Sequence, residues 1–182
     1  MNHDSSYIRE LSIERVVPQC RWEAFRGSGP GGQKRNKTSS AVRVTHVPTG
    51  LSATASESRS QAENRAKALG RLRRRIALAI RQNVGIDPFE MPPWFVEIAA
   101  PATGQKMRLA RVSRRHERYL DFVALVLDLL TAVEGSVSAA AGCVGTGSSD
   151  LVAFLQRDEK LLVHVNQIRS HFGLKPLGTR HR

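Results

Sequence analysis

The chain has very few cysteines for its length, with only Cys20 and Cys143 among 182 residues. Two thiols so far apart in sequence cannot build the disulfide framework of a small secreted domain, and they cannot supply the ligands of a structural zinc site. The six histidines show no metal-binding spacing either. We therefore expect free thiols, no metal centre and no cofactor.

Long hydrophobic runs are also scarce. The longest nearly apolar stretch, residues 122–130, is interrupted by Asp128 and is too short to cross a bilayer. The N-terminal residues lack the basic, then apolar, then small-residue order of a secretion signal. These features predict a cytoplasmic protein without a membrane partner.

Acidic residues are scarce in residues 21–81 in particular. Residues 21–81 hold 14 lysines and arginines but only three acids, and this stretch accounts for most of the net charge of +12. A basic domain of this kind favours a polyphosphate partner, with nucleic acid ahead of an anionic membrane. An ordinary solvated basic surface is the alternative.

Strand-like alternation marks the segment 41–55. Val42 and Val44 alternate with Arg43 and other polar residues, and a second alternating stretch begins at Leu51. The residues between them read V-P-T-G, which is typical of a turn because glycine tolerates positive φ there. The segment therefore predicts a β-hairpin, and residues 12–23 before it predict a short helix or turn followed by an extended piece.

Residues 58–81 predict a basic amphipathic helix. Its start has capping-box spacing, either Ser58 with Gln61 or Ser60 with Glu63. Apolar residues recur at helical spacing, and arginines fill most of the remaining circumference. We expect one stripe to pack on the hairpin; it consists of Ala62, Ala66, Leu69, Leu72, Ile76 and Ile80.

The remaining chain changes character twice. Prolines and glycines in residues 84–110 predict a connector with little regular structure. Helical patterns follow, first over 113–135 and then in a helix-turn-helix-like segment with Ser148 or Ser149 as a cap. We thus predict an α+β fold: a small domain with a hairpin and a packed basic helix (1–83), the connector (84–110), and a mainly α-helical C-terminal domain (111–182).

Catalytic chemistry is best supported by the glycine-rich stretch 26–40, "RGSGPGGQKRNKTSS". Gly31 and Gly32 expose backbone N–H groups without a Cβ in the way, so the main chain can donate to a developing oxyanion. Gly29 and Pro30 shape the same loop. The chain contains no nucleophile elbow and no phosphate-binding loop ending in Gly-Lys-Ser/Thr. We expect His46, beside the turn, to serve packing or to lie on the surface.

A longer composite carries a resemblance to a known family. The stretch "RGSGPGGQKRNKTSSAVRVTHVPTG" and the following "SESRSQAENRAKAL" resemble the catalytic domain of the class-I peptide chain release factors and of the stand-alone peptidyl-tRNA hydrolases that rescue stalled ribosomes. The resemblance covers about residues 22–82. A Gly-Gly-Gln tripeptide alone would be a weak signal, but the composite is highly specific.

The resemblance implies a mechanism and a partner. The loop would enter the peptidyl-transferase centre of the large ribosomal subunit beside P-site peptidyl-tRNA. The backbone N–H of Gln33 would stabilise the oxyanion of ester hydrolysis, and its side chain would admit water and exclude larger nucleophiles. Gly31 and Gly32 would permit the required backbone turn. The 2′-hydroxyl of the tRNA would take part in proton transfer.

Contacts to RNA are predicted for basic side chains in and after the loop, since arginine and lysine hold phosphates in register. These residues are Arg26, Lys34, Arg35, Lys37, Arg43, Arg59, Arg65, Arg71, Arg73, Arg74 and Arg75. Solvated surface charge is the alternative for the helix arginines.

Two departures from the family pattern bear on the type of release factor and on the role of the C-terminal region. Full-length release factors carry a codon-reading domain and a long N-terminal helical domain, for which the residues before the loop leave no room, so we expect codon-independent release on stalled ribosomes. Small rescue hydrolases end in a basic tail. Here a basic entry leads into helices instead, and it comprises Lys106, Arg108, Arg111, Arg114, Arg115 and Arg118.

The helical region has two alternative roles: it binds RNA, or a helper factor, in place of the tail, or it is a cap that stabilises a small domain. Two further hypotheses concern the whole chain. It is a non-catalytic RNA-binding adaptor, or it is a DNA-binding regulator that uses the helix-turn-helix-like segment. That segment offers one arginine and one glutamine for reading base edges, which is a poor supply.

Overall fold

The computed structural model describes residues 11–25, 40–100 and 107–179. The chain divides into two compact units, of which the first ends at Ile80 and the second continues from Arg81. The first unit contains a three-stranded sheet and the second is built from helices. This arrangement confirms the predicted α+β fold class.

A three-stranded antiparallel sheet and one long helix dominate the first unit. The sheet order is β1-β2-β3. The elements are α1 (Ile13–Val16), a 3₁₀ turn (Val17–Gln19), β1 (Cys20–Phe25), β2 (Ala41–His46), β3 (Ser52–Ala55) and α2 (Gln61–Ala79). The predicted short helix followed by an extended piece is thus confirmed, and the extended piece is the first strand of the sheet.

The hairpin of β2 and β3 follows from its alternation. Val42, Val44 and His46 are buried on the face toward α2, whereas Arg43 is exposed on the opposite face. Gly50 closes the turn with φ of +68°, and its N–H donates to the carbonyl of His46 over 2.9 Å. Glycine adopts this conformation at low cost, which explains its position in the turn. The predicted hairpin is therefore confirmed, including its turn residue.

Helix α2 begins where the capping pattern places it, but its buried stripe agrees with the predicted one only in part. The Ser60 side chain caps the helix by accepting from the N–H of Glu63 at 3.3 Å. The buried face includes Asn64, Ala68, Leu72 and Ile76, while the predicted Ala62 and Ala66 are exposed and that part of the prediction is wrong. Alanine methyl groups contribute little apolar area, so they do not decide which face packs.

The second unit is helical throughout its regular structure. Its elements are α3 (Pro93–Ala99), a 3₁₀ turn (Leu109–Arg111), α4 (Tyr119–Ala132), α5 (Val137–Cys143), α6 (Ser148–Leu155) and α7 (Glu159–His171). Helix α4 is buried over most of its length, from Asp121 to Leu130 without interruption. It is the central element of this core, and both of its acidic residues are buried with it.

Two predictions about this unit are wrong in part. Residues 84–110 contain helix α3, which starts on a proline that suits a first helical position and buries Phe95 and Ala99. Helix α4 begins at Tyr119 rather than at Ser113, because residues 113–118 form turns. In the first of these turns the N–H of His116 donates to the carbonyl of Ser113.

The predicted helix-turn-helix-like segment forms two contacting helices, α5 and α6. Gly145 lies in the turn with φ of +66°. The predicted serine cap at Ser148 or Ser149 is wrong: Gly147 is the N-cap of α6, and Ser148 is its first residue. Ser136 instead caps α5 by accepting from the N–H of Ala139.

Among the residues that the structure describes, no helix is long and apolar enough to span a membrane.

Candidate functional site

The predicted catalytic loop connects two strands that are paired at its base. Strand β1 ends at Phe25 and β2 begins at Ala41, and these two residues are partners in the antiparallel register. The paired ends of β1 and β2 therefore form a frame that supports the loop at both ends. The predicted loop residues themselves lie outside the described residues; they are Gly29, Pro30, Gly31, Gly32 and Gln33, with the basic residues Arg26, Lys34, Arg35 and Lys37.

A buried amide clamps the end of this frame. The side chain of Asn64, on α2, is fully buried and donates through Nδ2 to the carbonyl of Ser40 at 2.7 Å and to that of Ser58 at 2.8 Å. Its Oδ1 accepts from the N–H of Ser58 at 2.9 Å. Since two donors face carbonyls and the acceptor faces an N–H, the amide orientation is determined by its partners. Asn64 thus joins the residue just before β2 to the start of the helix.

Three of the helix arginines that we predicted to bind RNA are engaged within the first unit. Arg71 donates to the carbonyl of Thr54 at 2.6 Å and pairs with Glu57 at 2.7 Å. Arg73 donates to the carbonyl of Leu11, and Arg75 donates to that of Ser52. The hydrogen bond from Arg71 holds the pKa of Glu57 below its ordinary value. These side chains brace the sheet edge and the N-terminal segment against α2.

Two further predicted residues stack on aromatic rings. The guanidinium of Arg65 lies 4.3 Å from the ring centroid of Trp22, and that of Arg43 lies 5.6 Å from the ring centroid of Phe25. An arginine over a ring is held in place while its outer edge still faces solvent. Both Arg65 and Arg43 are exposed, as is Arg59 in the turn before α2.

A basic concavity of about 470 Å³ is lined by the exposed side chains of the sheet and by Arg75 of α2. Its polar lining includes Arg21, Glu23, Arg43, Thr45, Thr54 and Arg75. Glu23 lies 3.3 Å from Arg21 and 4.0 Å from Arg43, so one carboxylate is shared between two guanidinium groups. The sequence reasoning missed Arg21, which joins Arg43 only because β1 pairs with β2. Alternation of Arg21, Glu23 and Phe25 along β1 is the signal that would have placed it.

His46 serves packing, in agreement with the sequence-based expectation. Its side chain is buried beneath the turn, and its Nδ1 lies 2.9 Å from the hydroxyl of Thr49. Burial lowers the pKa of His46 below the ordinary histidine value. The imidazole is therefore neutral near pH 7 and is tied to the hairpin turn.

In the second unit, the helix-turn-helix-like segment uses its candidate base-reading side chains internally. Gln156 donates to the carbonyl of Gly178 at 2.7 Å. Arg157 donates to the carbonyls of Ala110 and Val112, each at 2.7 Å. These bonds reduce an already poor supply of groups for reading DNA. Among the described residues, no cluster of three or more histidine, cysteine or acidic side chains could hold a metal ion.

Comparison with known proteins finds a family match over the first unit. The RF-1 domain model matches residues 10–85. Peptide chain release factor 1 of Lawsonia intracellularis is 49% identical over 73 residues, which are 40% of this chain and 20% of that protein. Peptide chain release factor 1 of Lactiplantibacillus plantarum is 57% identical over 68 residues, or 37% of this chain and 19% of that protein.

A second type of release factor matches the same region. Peptide chain release factor 2 of Paramagnetospirillum magneticum is 52% identical over 66 residues, which are 36% of this chain and 18% of that protein. The chain thus spans about a fifth of the length of the curated relatives it matches. The helical unit from Arg81 onward lies almost entirely outside the match of the RF-1 domain model.

Proposed function

We propose that this chain hydrolyses the ester bond of peptidyl-tRNA on the ribosome, because residues 10–85 match the RF-1 domain model. The domain match, which includes the Gly31-Gly32-Gln33 sequence, is the observation that carries the proposal. Both release factor 1 and release factor 2 are similar over this region. The proposed partners are the large ribosomal subunit and P-site peptidyl-tRNA, and the proposed location is the cytoplasm.

The proposed chemistry needs little from the protein besides a correctly held backbone. The N–H of Gln33 donates to the oxyanion that develops as water attacks the ester carbonyl, and Gly31 and Gly32 let the main chain approach. The electron pair of the broken ester bond goes to the 3′-oxygen of the tRNA, which takes up a proton. The pairing of Phe25 with Ala41 and the clamp at Asn64 support this role, because they fix both ends of the segment that carries the loop.

We further propose that release is independent of the codon in the A site. The make-up of the chain supports this form of release: the RF-1 domain is joined to a helical unit that lies almost entirely outside the match of the RF-1 domain model. The helical unit would then supply a contact that selects stalled ribosomes, either directly or through a helper factor.

Release of labelled peptide from ribosomes that carry peptidyl-tRNA tests both parts of the proposal. Three complexes are compared: truncated mRNA, a stop codon in the A site, and a sense codon there. We expect release on truncated mRNA and no preference for the stop codon. Release only at stop codons would refute codon independence, and binding without release in every complex would favour a non-catalytic adaptor.

Variants of the loop test the catalytic assignment in the same assay. We expect Gln33→Ala to lower the release rate, and Gly31→Ala or Gly32→Ala to lower it further, since loss of one oxyanion donor costs roughly 10²–10³ in rate. Ribosome binding should change little, as measured by co-sedimentation. Full activity of the glycine variants would remove this loop from the mechanism.

A further inference from the structure

The second unit contains a cluster of exposed arginines that the RF-1 domain does not include. Residues 107–118, here called the arginine segment, hold five arginines and one acid. Four of the arginines are exposed, and among the described residues none of the four has a carboxylate within ion-pair distance. They are Arg108, Arg111, Arg114 and Arg115. Like charges packed this densely repel one another, so the arrangement favours a polyanionic ligand.

The arginine segment is anchored through its apolar residues. Leu109 and Val112 are buried, and each directly follows an exposed arginine, Arg108 or Arg111. The N–H of Leu109 donates to the carboxylate of Asp150 at 2.7 Å. Two hydrogen bonds from Arg157 to the carbonyls of Ala110 and Val112 hold the same stretch. The backbone that presents the arginines is therefore preorganised, which lowers the entropy cost of binding.

Turn geometry presents two of these arginines at a tip. The N–H of His116 donates to the carbonyl of Ser113 at 3.0 Å, and the N–H of Arg115 approaches the hydroxyl of Ser113 at 3.2 Å. Arg114 and Arg115 occupy the two central positions of this turn. Arg118 follows and is held differently, with its guanidinium 5.5 Å from the ring centroid of Trp94.

We propose that the arginine segment is an RNA-binding site that contacts the phosphate backbone. Guanidinium groups match phosphate oxygens with paired N–H donors and are weakly hydrated, which suits them to this ligand. The choice of RNA over other polyanions rests on the proposed function, since the RF-1 domain of the same chain would act beside ribosomal RNA and tRNA. The site lies in the unit outside the domain match and supplies a second point of attachment.

The test uses the full-length chain and a fluorescein-labelled RNA hairpin, with binding measured by anisotropy from 50 to 300 mM KCl. The variant Arg114→Gln/Arg115→Gln is compared with Lys160→Gln/Lys175→Gln, which removes the same charge from exposed positions elsewhere in the unit. We expect the arginine variant to weaken binding roughly tenfold and to lower the salt slope by about 2, one for each phosphate contact. The lysine variant should bind nearly as the parent chain does.

Two outcomes would overturn the proposal. Equal weakening by the two variants would mean that only overall charge matters. Competition by polyglutamate as effective as competition by unlabelled RNA of equal charge would assign the site to acidic proteins instead. Because the arginines replaced are exposed, unchanged thermal unfolding is expected and checks that both variants fold.

The peptide-release assay keeps this proposal separable from the proposed function. If the parent chain releases no peptide in any complex but the arginine variant still loses RNA affinity, the binding site stands and the catalytic proposal fails. If release is normal and RNA affinity is unchanged, the catalytic proposal stands and the site assignment fails.

Discussion

Two sets of arginines, one in each unit, are used in opposite ways. In the first unit, Arg71, Arg73 and Arg75 on α2 donate to backbone carbonyls of their own domain. In the second unit, Arg108, Arg111, Arg114 and Arg115 project from an anchored segment and have no ion-pair partner among the described residues. High arginine content on a helix therefore does not by itself identify a nucleic-acid surface. What distinguishes the two sets is whether carbonyl groups lie within reach.

The largest expected difference between the units concerns two asparagines whose side chains hydrogen-bond to distant backbone groups. Asn64 holds Ser40 and Ser58 in the first unit, and Asn166 holds Leu177 in the second, where its Oδ1 accepts at 2.8 Å and its Nδ2 donates at 3.1 Å. We expect Asn64→Ala to lower the free energy of unfolding by about 3 kcal/mol, because buried groups on the backbone lose their partners. We also expect it to reduce the maximal rate of peptide release, with a smaller change in ribosome affinity.

The matched control is Asn166→Ala, which removes a clamp of similar chemistry far along the chain. It should lower stability without changing the maximal release rate of the folded fraction. If both variants reduced release equally, the effect of Asn64 would be one of stability alone and not of loop position. Chemical denaturation and single-turnover release at a temperature where both variants remain folded provide the two readouts.

Removing one arginine from each set gives an intermediate effect. Arg73→Ala should lower the free energy of unfolding by about 1–2 kcal/mol, because its partly buried hydrogen bond to the carbonyl of Leu11 is lost. Arg111→Ala should leave stability within about 0.5 kcal/mol of the parent chain, as is usual for exposed positions. Urea denaturation measures both. A larger loss of stability in Arg111→Ala than in Arg73→Ala would contradict the distinction between arginines that stabilise the fold and arginines that are exposed for binding.

The smallest expected effect concerns pH and only the first unit. Burial lowers the pKa of His46 in the folded chain, so the unfolded chain binds this proton more tightly. The stability that His46 contributes is present above the ordinary histidine pKa and is lost as the pH falls through that value toward the lowered one. Comparing the free energy of unfolding at pH 7.5 and pH 5.5 should show a drop that is smaller in His46→Gln. An identical drop in both chains would exclude His46 as its source.

Much of the first unit was predictable because its signals are local. The alternation around Val44, the glycine at position 50 and the cap at Ser60 each act within a few residues, and the structure confirms them. The packing stripe of α2 was not predictable in full. Asn64 is buried only because the carbonyl of Ser40, 24 residues away, and the backbone of Ser58 satisfy its amide. A helical pattern of apolar residues does not predict that a polar residue such as Asn64 is buried.

The second unit was harder to predict for the same physical reason. Helix α3 lies in a proline-rich stretch, where the composition favours irregular structure, and it is stabilised by burial of Phe95 against the aromatic ring of Phe122 with centroids 4.4 Å apart. The start of α4 depends on turns closed around Ser113 and His116. The contact between Phe95 and Phe122 joins residues far apart in the sequence, so it is not evident from a window of neighbouring residues.

The amino-acid sequence by itself determined the family resemblance of the first unit, its hairpin and its helix cap, because each is encoded by neighbouring residues and their backbone preferences. Only the tertiary structure decided which arginines brace the fold and which remain exposed. Arg73 finds its carbonyl 62 residues away and Arg157 finds one 47 residues away. A guanidinium satisfied by distant backbone and one left in solvent look the same in the sequence, because the difference lies in which carbonyl groups folding brings within reach.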